Sequence, residues 1–237
     1  MEQQETDLRA AFVRTVEEQV GKGIYVWGGN GERLDELSDP IAWIERHEQS
    51  ATDAKRAVSL YETRREAGEP EIRAFDCSGL IYWALKKLGV QKSDVNSRGL
   101  YALCRPLNED EIKAGDLVFH HDGTRIVHVG VCAGEQQIEC KGRDDGVVKN
   151  KRKKGYWNRF GRLDALDRRP EAFVYVKGGS VRVRKGPGTD AKCLGVAHRG
   201  ETFPLLGVEQ NGWYRIARDG REAFITGRAR YTEVRHG

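Results

Sequence analysis

Phe75-Asp76-Cys77-Ser78-Gly79-Leu80-Ile81-Tyr82-Trp83-Ala84-Leu85-Lys86-Lys87-Leu88-Gly89 reads as a helix built to carry a cysteine in its first turn. Asp76 is a strong N-cap, because its carboxylate can accept the backbone N–H groups that a helix start leaves unpaired. Gly89 suits the stop, and Lys86 and Lys87 complement the negative end of the macrodipole. Cys77, Leu80, Ile81, Ala84, Leu85 and Leu88 recur at the spacing of one apolar face. Cys77 therefore faces the rest of its domain from the positive end of the helix, where free N–H groups favour a thiolate. The alternative is a small core residue, which most free cysteines are.

A thiol that attacks an acyl group needs a base, and the base needs a group that holds its tautomer. His128 lies in the strand expected over 125–133, within His128-Val129-Gly130-Val131. Gly130 leaves room beside it for a partner. His120 and His121 compete for the same role at the mouth of a hairpin. Glu139, on the next expected strand, is the best orienter, because antiparallel pairing can lay it beside His128. The alternative for Glu139 is an ordinary exposed strand carboxylate.

Around this core the chain reads helices first and strands second. Leu8, Ala11, Phe12, Val16 and Val20 trace a helical stripe that stops near Gly21. Ile24-Tyr25-Val26-Trp27-Gly28-Gly29 is a short β run closed by glycines that permit close backbone approach. Residues 38–67 are charged and expected as helix, opened by Ser38-Asp39-Pro40, with Trp43 and Tyr61 as its buried contacts. A short helix is expected over 95–102. Strands are expected over 117–121, 125–133 and 136–141, the first two joined by Asp122-Gly123-Thr124. This is an α+β layout.

Residues 143–162 read as a basic loop with Lys149, Lys151, Arg152, Lys153 and Lys154, punctuated by Trp157 and Phe160. Such a run can bind nucleic acid, but a solvated loop is the commoner case, and no nucleic-acid partner is expected. Residues 164–171, with Pro170, read as a linker. Beyond Phe173, short strands alternate with turns, including Asn211-Gly212 and Asp219-Gly220, as in a small all-β barrel.

Composition limits the function classes. The 237 residues carry 38% hydrophobic side chains, 28 Gly and 6 Pro, as an ordinary globular chain does. The net charge of +4 permits an anionic partner without demanding one. The five cysteines, at 77, 104, 132, 140 and 193, form no CxxC pair and no metal-ligand spacing. Reduced thiols are expected, with no disulfide frame, metal or cofactor. Residues 1–20 show neither a secretory leader nor a membrane span. The expected setting is cytoplasmic or a phage-type lysin, with secretion only if a leader has been removed.

Five pieces in order, four of them at matching spacing, resemble the NlpC/P60 family of cell-wall cysteine peptidases. They are Tyr25-Val26-Trp27-Gly28-Gly29, Phe75-Asp76-Cys77-Ser78-Gly79-Leu80, Ala114-Gly115-Asp116-Leu117-Val118-Phe119, His128-Val129-Gly130-Val131, and Ile138-Glu139 followed by Gly146-Val147. The resemblance implies a papain-like α+β domain over residues 1–168, with a helical insertion at about 31–72. It implies Cys77 as nucleophile, His128 as base, and a Tyr25 hydroxyl near the sulfur. The Cys77 backbone N–H would serve the oxyanion, with Asp76 and Ser78 beside it on the substrate side. The family's third polar residue is usually histidine, sometimes asparagine or glutamine. Here its place falls on Glu139, or on Cys140 one register away.

Residues 173–234, in a domain expected over 173–237, resemble a bacterial SH3-like (SH3b) domain through Val181-Arg182-Val183-Arg184-Lys185-Gly186-Pro187-Gly188, Gly200 and Gly212-Trp213-Tyr214. Ala223-Phe224 replaces the usual late Gly-Trp, which alters the expected binding groove. The activity implied is hydrolysis of peptidoglycan stem peptides between γ-D-glutamyl and a diamino acid. Murein or murein-derived peptides are the implied partners. The rival readings are a non-catalytic wall-binding module and an amidase or acyltransferase on the same scaffold.

Overall fold

The computed structural model describes residues 8–90, 93–167, 172–218 and 221–236. The fold is α+β, with helices and a large antiparallel sheet followed by an all-β C-terminal part. There are two compact units. One takes in Thr15–Lys86 and Gln91–Asp164, and the other takes in the terminal segments together with Lys87–Val90.

Helix α1 spans Leu8–Glu17. Strand β1 (Ile24–Tyr25) is followed by β2 (Asn30–Arg33), α2 (Pro40–His47), α3 (Ala51–Glu66) and β3 (Arg73–Phe75). β3 pairs parallel with β1 and antiparallel with β2, as the centre of a three-stranded sheet. The register sets Tyr25 beside Phe75, just ahead of Cys77.

The single helical stretch expected over 38–67 is two helices. Asp39 caps α2 by accepting from Ala42 N at 2.9 Å, with Pro40 in the first turn. The backbone turns extended at Glu48, and Ser50 then restarts the helix by accepting from Asp53 N at 3.1 Å. The insertion is also not wholly helical, since β2 belongs to it. Tyr61 is buried as expected, in a core with Ile24, Val26, Leu34, Ile44 and Ala57. Trp43 is only half-buried and stacks on His47 with centroids 3.8 Å apart.

Helix α4 spans Cys77–Lys87 and is buried on every side from Cys77 to Leu85. The expected one-sided stripe was too narrow because Ser78, Gly79, Tyr82 and Trp83 are covered as well. Gly79 explains part of this. A Cβ there would lie 1.8 Å from the Gly29 carbonyl oxygen, so the helix rests directly on the Trp27-Gly28-Gly29 turn. Helix α5 (Ser97–Leu103) starts at Asn96, which accepts from Gly99 N at 3.0 Å.

The main sheet is formed by β4 (Arg105–Leu107), β5 (Leu117–His121), β6 (Ile126–Ala133), β7 (Gln136–Gly142), β8 (Gly146–Lys151) and β9 (Arg159–Arg162). Their order is β4-β9-β5-β6-β7-β8, antiparallel throughout. The stretch 143–162 therefore supplies two strands, where a solvated loop was expected. β8 ends the strand order of this sheet; its Val147 backbone bonds outward to Gly21 N and Gly23 O, and its lysines follow beyond that point. β9 lies between β4 and β5, where a Cβ at Gly161 would come within 2.5 Å of Cys104 Cβ. Buried Asp116, at the entry to β5, accepts from Arg162 Nε at 2.9 Å and Nη2 at 2.7 Å.

The C-terminal strands are β10 (Ala172–Val176), β11 (Ser180–Arg184), β12 (Cys193–His198), β13 (Thr202–Val208), β14 (Trp213–Arg218), β15 (Arg221–Thr226) and β16 (Thr232–His236). They form one antiparallel sheet in the order β12-β11-β15-β14-β13-β10-β16. Val174, Val176, Val183, Ile216 and Ile225 are fully buried in its core. Gly212, in the β13–β14 turn, has φ 78°. The Asp219-Gly220 turn and residues 168–171, with Pro170, lie outside the described residues. Among the described residues no helix is long and apolar enough to cross a membrane.

Candidate active site

The site is assembled where the start of α4 meets β6 and β7. Asp76 fixes the start of the helix by accepting from Gly79 N at 2.7 Å and from the Ser78 hydroxyl at 2.9 Å. Its other oxygen accepts from Gly28 N at 3.2 Å, while Asp76 N donates to Gly29 O at 2.8 Å. One carboxylate thus locks the Trp27-Gly28-Gly29 turn to the helix that begins with Cys77. Cys77 itself is 9% exposed.

His128 projects from β6, and its Nε2–H donates to Glu139 Oε2 on β7 at 2.7 Å. The sheet explains why Glu139, and not Cys140, takes that place. β6 pairs with β7 in the register Val131↔Ile138 and Cys132↔Gln137. Alternation then puts Gln137 and Glu139 on the face that carries His128, Gly130 and Cys132. Cys140 is fully buried on the other face, with its thiol donating to Phe75 O at 3.4 Å. Gly130 is needed, since a Cβ there would meet Ile138 O at 3.0 Å and Glu139 Cβ at 3.3 Å.

Burial pushes the His128 imidazole down, but hydrogen bonds and charge from Cys77 and Glu139 outweigh it and raise it to about 9. Cys77 and Glu139 are thus the groups that hold His128 as imidazolium at neutral pH. Burial pushes the Tyr25 phenol up, and the charges of Cys77 and Asp76 add to that, so it remains a protonated donor. His120 and His121 are engaged elsewhere. His120 Nδ1 donates to Tyr156 O at 2.7 Å, and His121 Nδ1 accepts from Gly123 N at 3.1 Å.

The sequence reading missed four residues around this arrangement. Trp157, 2% exposed, stacks on His128 with centroids 5.6 Å apart and 23° between planes. Tyr156 stacks on His120 at 4.2 Å, and its phenol is pushed up by burial and then by the charges of Glu139 and Cys77. Buried Gln137 donates to the second oxygen of Glu139 at 3.2 Å. Arg143 lies over the Tyr25 ring, its guanidinium carbon 4.6 Å from the centroid. The available signal was the aromatic pair after Gly155 inside a basic stretch. Among the described residues no group of three or more His, Cys, Asp or Glu is placed to hold a metal ion.

Comparison with known proteins identifies the families of the two parts of the chain. The profile of the NlpC/P60 family matches residues 21–162, and that of the bacterial SH3 domain matches residues 179–232. The chain is 29% identical over 142 residues to the bifunctional muramidase/DL-endopeptidase CwlT of Bacillus subtilis, covering 52% of this chain and 43% of that protein. It is 32% identical over 100 residues to the murein DD-endopeptidase MepH of Escherichia coli, covering 40% and 37%. The chain therefore spans less than half the length of either relative. The solved structure of the peptidoglycan hydrolase RipB from Mycobacterium tuberculosis aligns with a TM-score of 0.44 at 22% identity, over 66% of this chain and 64% of that one. With the family profile spanning more than half its length, the chain belongs to the NlpC/P60 family and carries a bacterial SH3 domain behind it.

Proposed function

We propose that the chain is a cysteine endopeptidase that cleaves peptidoglycan stem peptides between γ-D-glutamyl and a diamino acid, meso-diaminopimelate or lysine. The observation that carries this reading is the 2.7 Å hydrogen bond from His128 to Glu139, with Cys77 at the start of α4 acting on the same imidazole and raising it to about 9. Such an arrangement suits acyl transfer through a thiolate–imidazolium pair.

In this reading the Cys77 sulfur attacks the γ-carbonyl carbon, and the oxygen gains negative charge. Backbone N–H groups at the start of α4 stabilise that charge, and one such donor contributes roughly 3–4 kcal/mol. His128 gives its proton to the departing amine of the diamino acid, leaving a thioester on Cys77. Water, deprotonated by His128, then hydrolyses the thioester and restores the thiol. Glu139 keeps the imidazole in one orientation throughout. The DL-endopeptidase activity in the name of CwlT supports this bond, which joins a D to an L centre.

The bacterial SH3 domain has a cavity of about 270 Å³ lined by Arg182, Arg184, Thr189, Trp213 and Arg228, among others. Its cationic and aromatic lining suits the carboxylates of a wall peptide. The test of the peptidase reading is a digest of defined tripeptide and tetrapeptide muropeptides, read by product mass. Wild type should release the free diamino acid from the tripeptide form and diaminoacyl-D-Ala from the tetrapeptide form, and Cys77→Ser should release neither. Equal release by both would refute the role of Cys77. Release of a different fragment would favour the amidase alternative.

A further inference from the structure

Glu48 comes from the inserted stretch between the glycine turn and the Cys77 helix, yet its side chain is wholly buried. Both of its oxygens are used. Oε1 accepts from Trp27 N at 3.2 Å, while Oε2 accepts from Arg143 Nε at 3.0 Å and Nη2 at 2.6 Å. Arg143 stands in the turn between β7 and β8, just past Glu139. Its guanidinium is held against the face of the Tyr25 ring, 4.6 Å from the centroid. Tyr25 is 7% exposed and pairs with Phe75, two residues before Cys77, whose charge adds to the upward push on its phenol.

A salt bridge this buried gains little stability over an apolar pair of the same volume, so stability alone does not account for it. Its effect here is geometric. The carboxylate fixes a rigid fork, and the fork fixes a ring. The cation also draws electron density through the ring face, which strengthens the phenol as a hydrogen-bond donor. The nearest other acid is Asp53, 3.6 Å from Arg143 Nε and more exposed than Glu48. Without Glu48 the guanidinium would turn toward Asp53 and solvent and leave the ring.

We propose that Glu48 is a positioning residue of the active site. It holds Arg143 over Tyr25 so that the Tyr25 hydroxyl stays set beside the nucleophile, and this makes the inserted helices a working part of the site. The proposal rests on the reading of Cys77 as the nucleophile and adds to it a role for the insertion.

The experiment is a double-mutant cycle on the full chain with Glu48→Gln, Tyr25→Phe and the pair, and with Arg143→Lys as a conservative comparison. Two readouts are taken: kcat and KM on L-Ala-γ-D-Glu-diamino acid tripeptide, and the rate of Cys77 alkylation by iodoacetamide followed by mass spectrometry. Glu48→Gln should lower kcat/KM about tenfold, mainly in kcat, and should change the alkylation rate about threefold. Neither readout should change further when Glu48→Gln is added to Tyr25→Phe. Arg143→Lys should keep part of the rate, because a cation remains over the ring. Equal losses in both backgrounds would overturn the proposal, since Glu48 would then act on the fold alone. Unchanged alkylation and unchanged turnover in Glu48→Gln would overturn it too. If wild type cleaves no tripeptide, the peptidase reading fails, and the alkylation cycle still decides the Glu48 link.

Discussion

Glu139 Oε2 accepts the Nε2–H of His128 at 2.7 Å, and Gln137 holds the other carboxylate oxygen from the same strand. The negative charge stabilises the imidazolium more than a neutral acceptor would, which helps to lift His128 to about 9.

Glu139→Gln should therefore move the alkaline limb of kcat/KM to lower pH. The sign follows from removing a charge that favours the protonated ring. In wild type the limb should fall near the His128 value, and in the variant it should lie about one pH unit or more lower. The pH profile of tripeptide hydrolysis from pH 6 to 10.5 measures this. A limb that does not move would mean that Glu139 exerts no charge on the base.

Gly79→Ala tests the contact that sets the nucleophile. The added methyl would sit 1.8 Å from Gly29 O, and the obstacle is backbone that cannot swing away. Ala is otherwise the better helix former by about 1 kcal/mol, so a purely local effect would stabilise. The expected result is a loss of roughly 3 kcal/mol or more in denaturant unfolding, with Cys77 displaced and activity lost. A neutral or stabilised variant would show that the turn can move off the helix.

Much of the site was legible because its chemistry is local in sequence. Asp76 and Cys77 announce a capped helix, and His128-Val129-Gly130-Val131 alternates as a strand should. Glu139 was expected beside His128 from antiparallel pairing and from the resemblance, and the register of β6 and β7 puts Glu139, with Cys140 turned away, on the His128 face. The misreadings have a common cause. In 143–162 the lysines belong to an edge strand and to turns, so charge hid the strand pattern of β8. In β9, Phe160-Gly161 is too short a run to show alternation. Trp157 and Arg143 reach the site only through tertiary packing, which no spacing in the chain encodes. The break between α2 and α3 lies at Glu48-Gln49-Ser50, where a second cap was mistaken for helix interior.

Asp116 and Arg162 offer a test of the sheet apart from the chemistry. Asp116 is fully buried, accepts twice from Arg162, and also accepts from Lys113 N at 2.9 Å. Arg162→Ala should leave that carboxylate without its main counter-charge and cost about 3–5 kcal/mol. Asp116→Asn keeps the acceptor for Lys113 and should cost less. Thermal and urea unfolding of both variants would check the order, and an Arg162→Ala loss under about 1 kcal/mol would contradict the pairing seen.

The raised His128 value also predicts how stability depends on pH. The folded protein holds the imidazolium more tightly than the unfolded chain, whose histidine titrates near its ordinary 6.5. The unfolded state therefore releases its proton first as pH rises. The stabilisation is fully present below 6.5, declines between 6.5 and 9, and is gone above about 9. His128→Gln removes the titration, so the stability difference between wild type and variant should shrink steadily from pH 6 to pH 9.5. Urea unfolding at fixed ionic strength reads this difference directly. In the Cys77→Ser background the window should narrow, because one of the two groups that hold the proton has gone. A wild-type-minus-variant difference that is flat across the range would mean that neither group binds the imidazolium in the folded state.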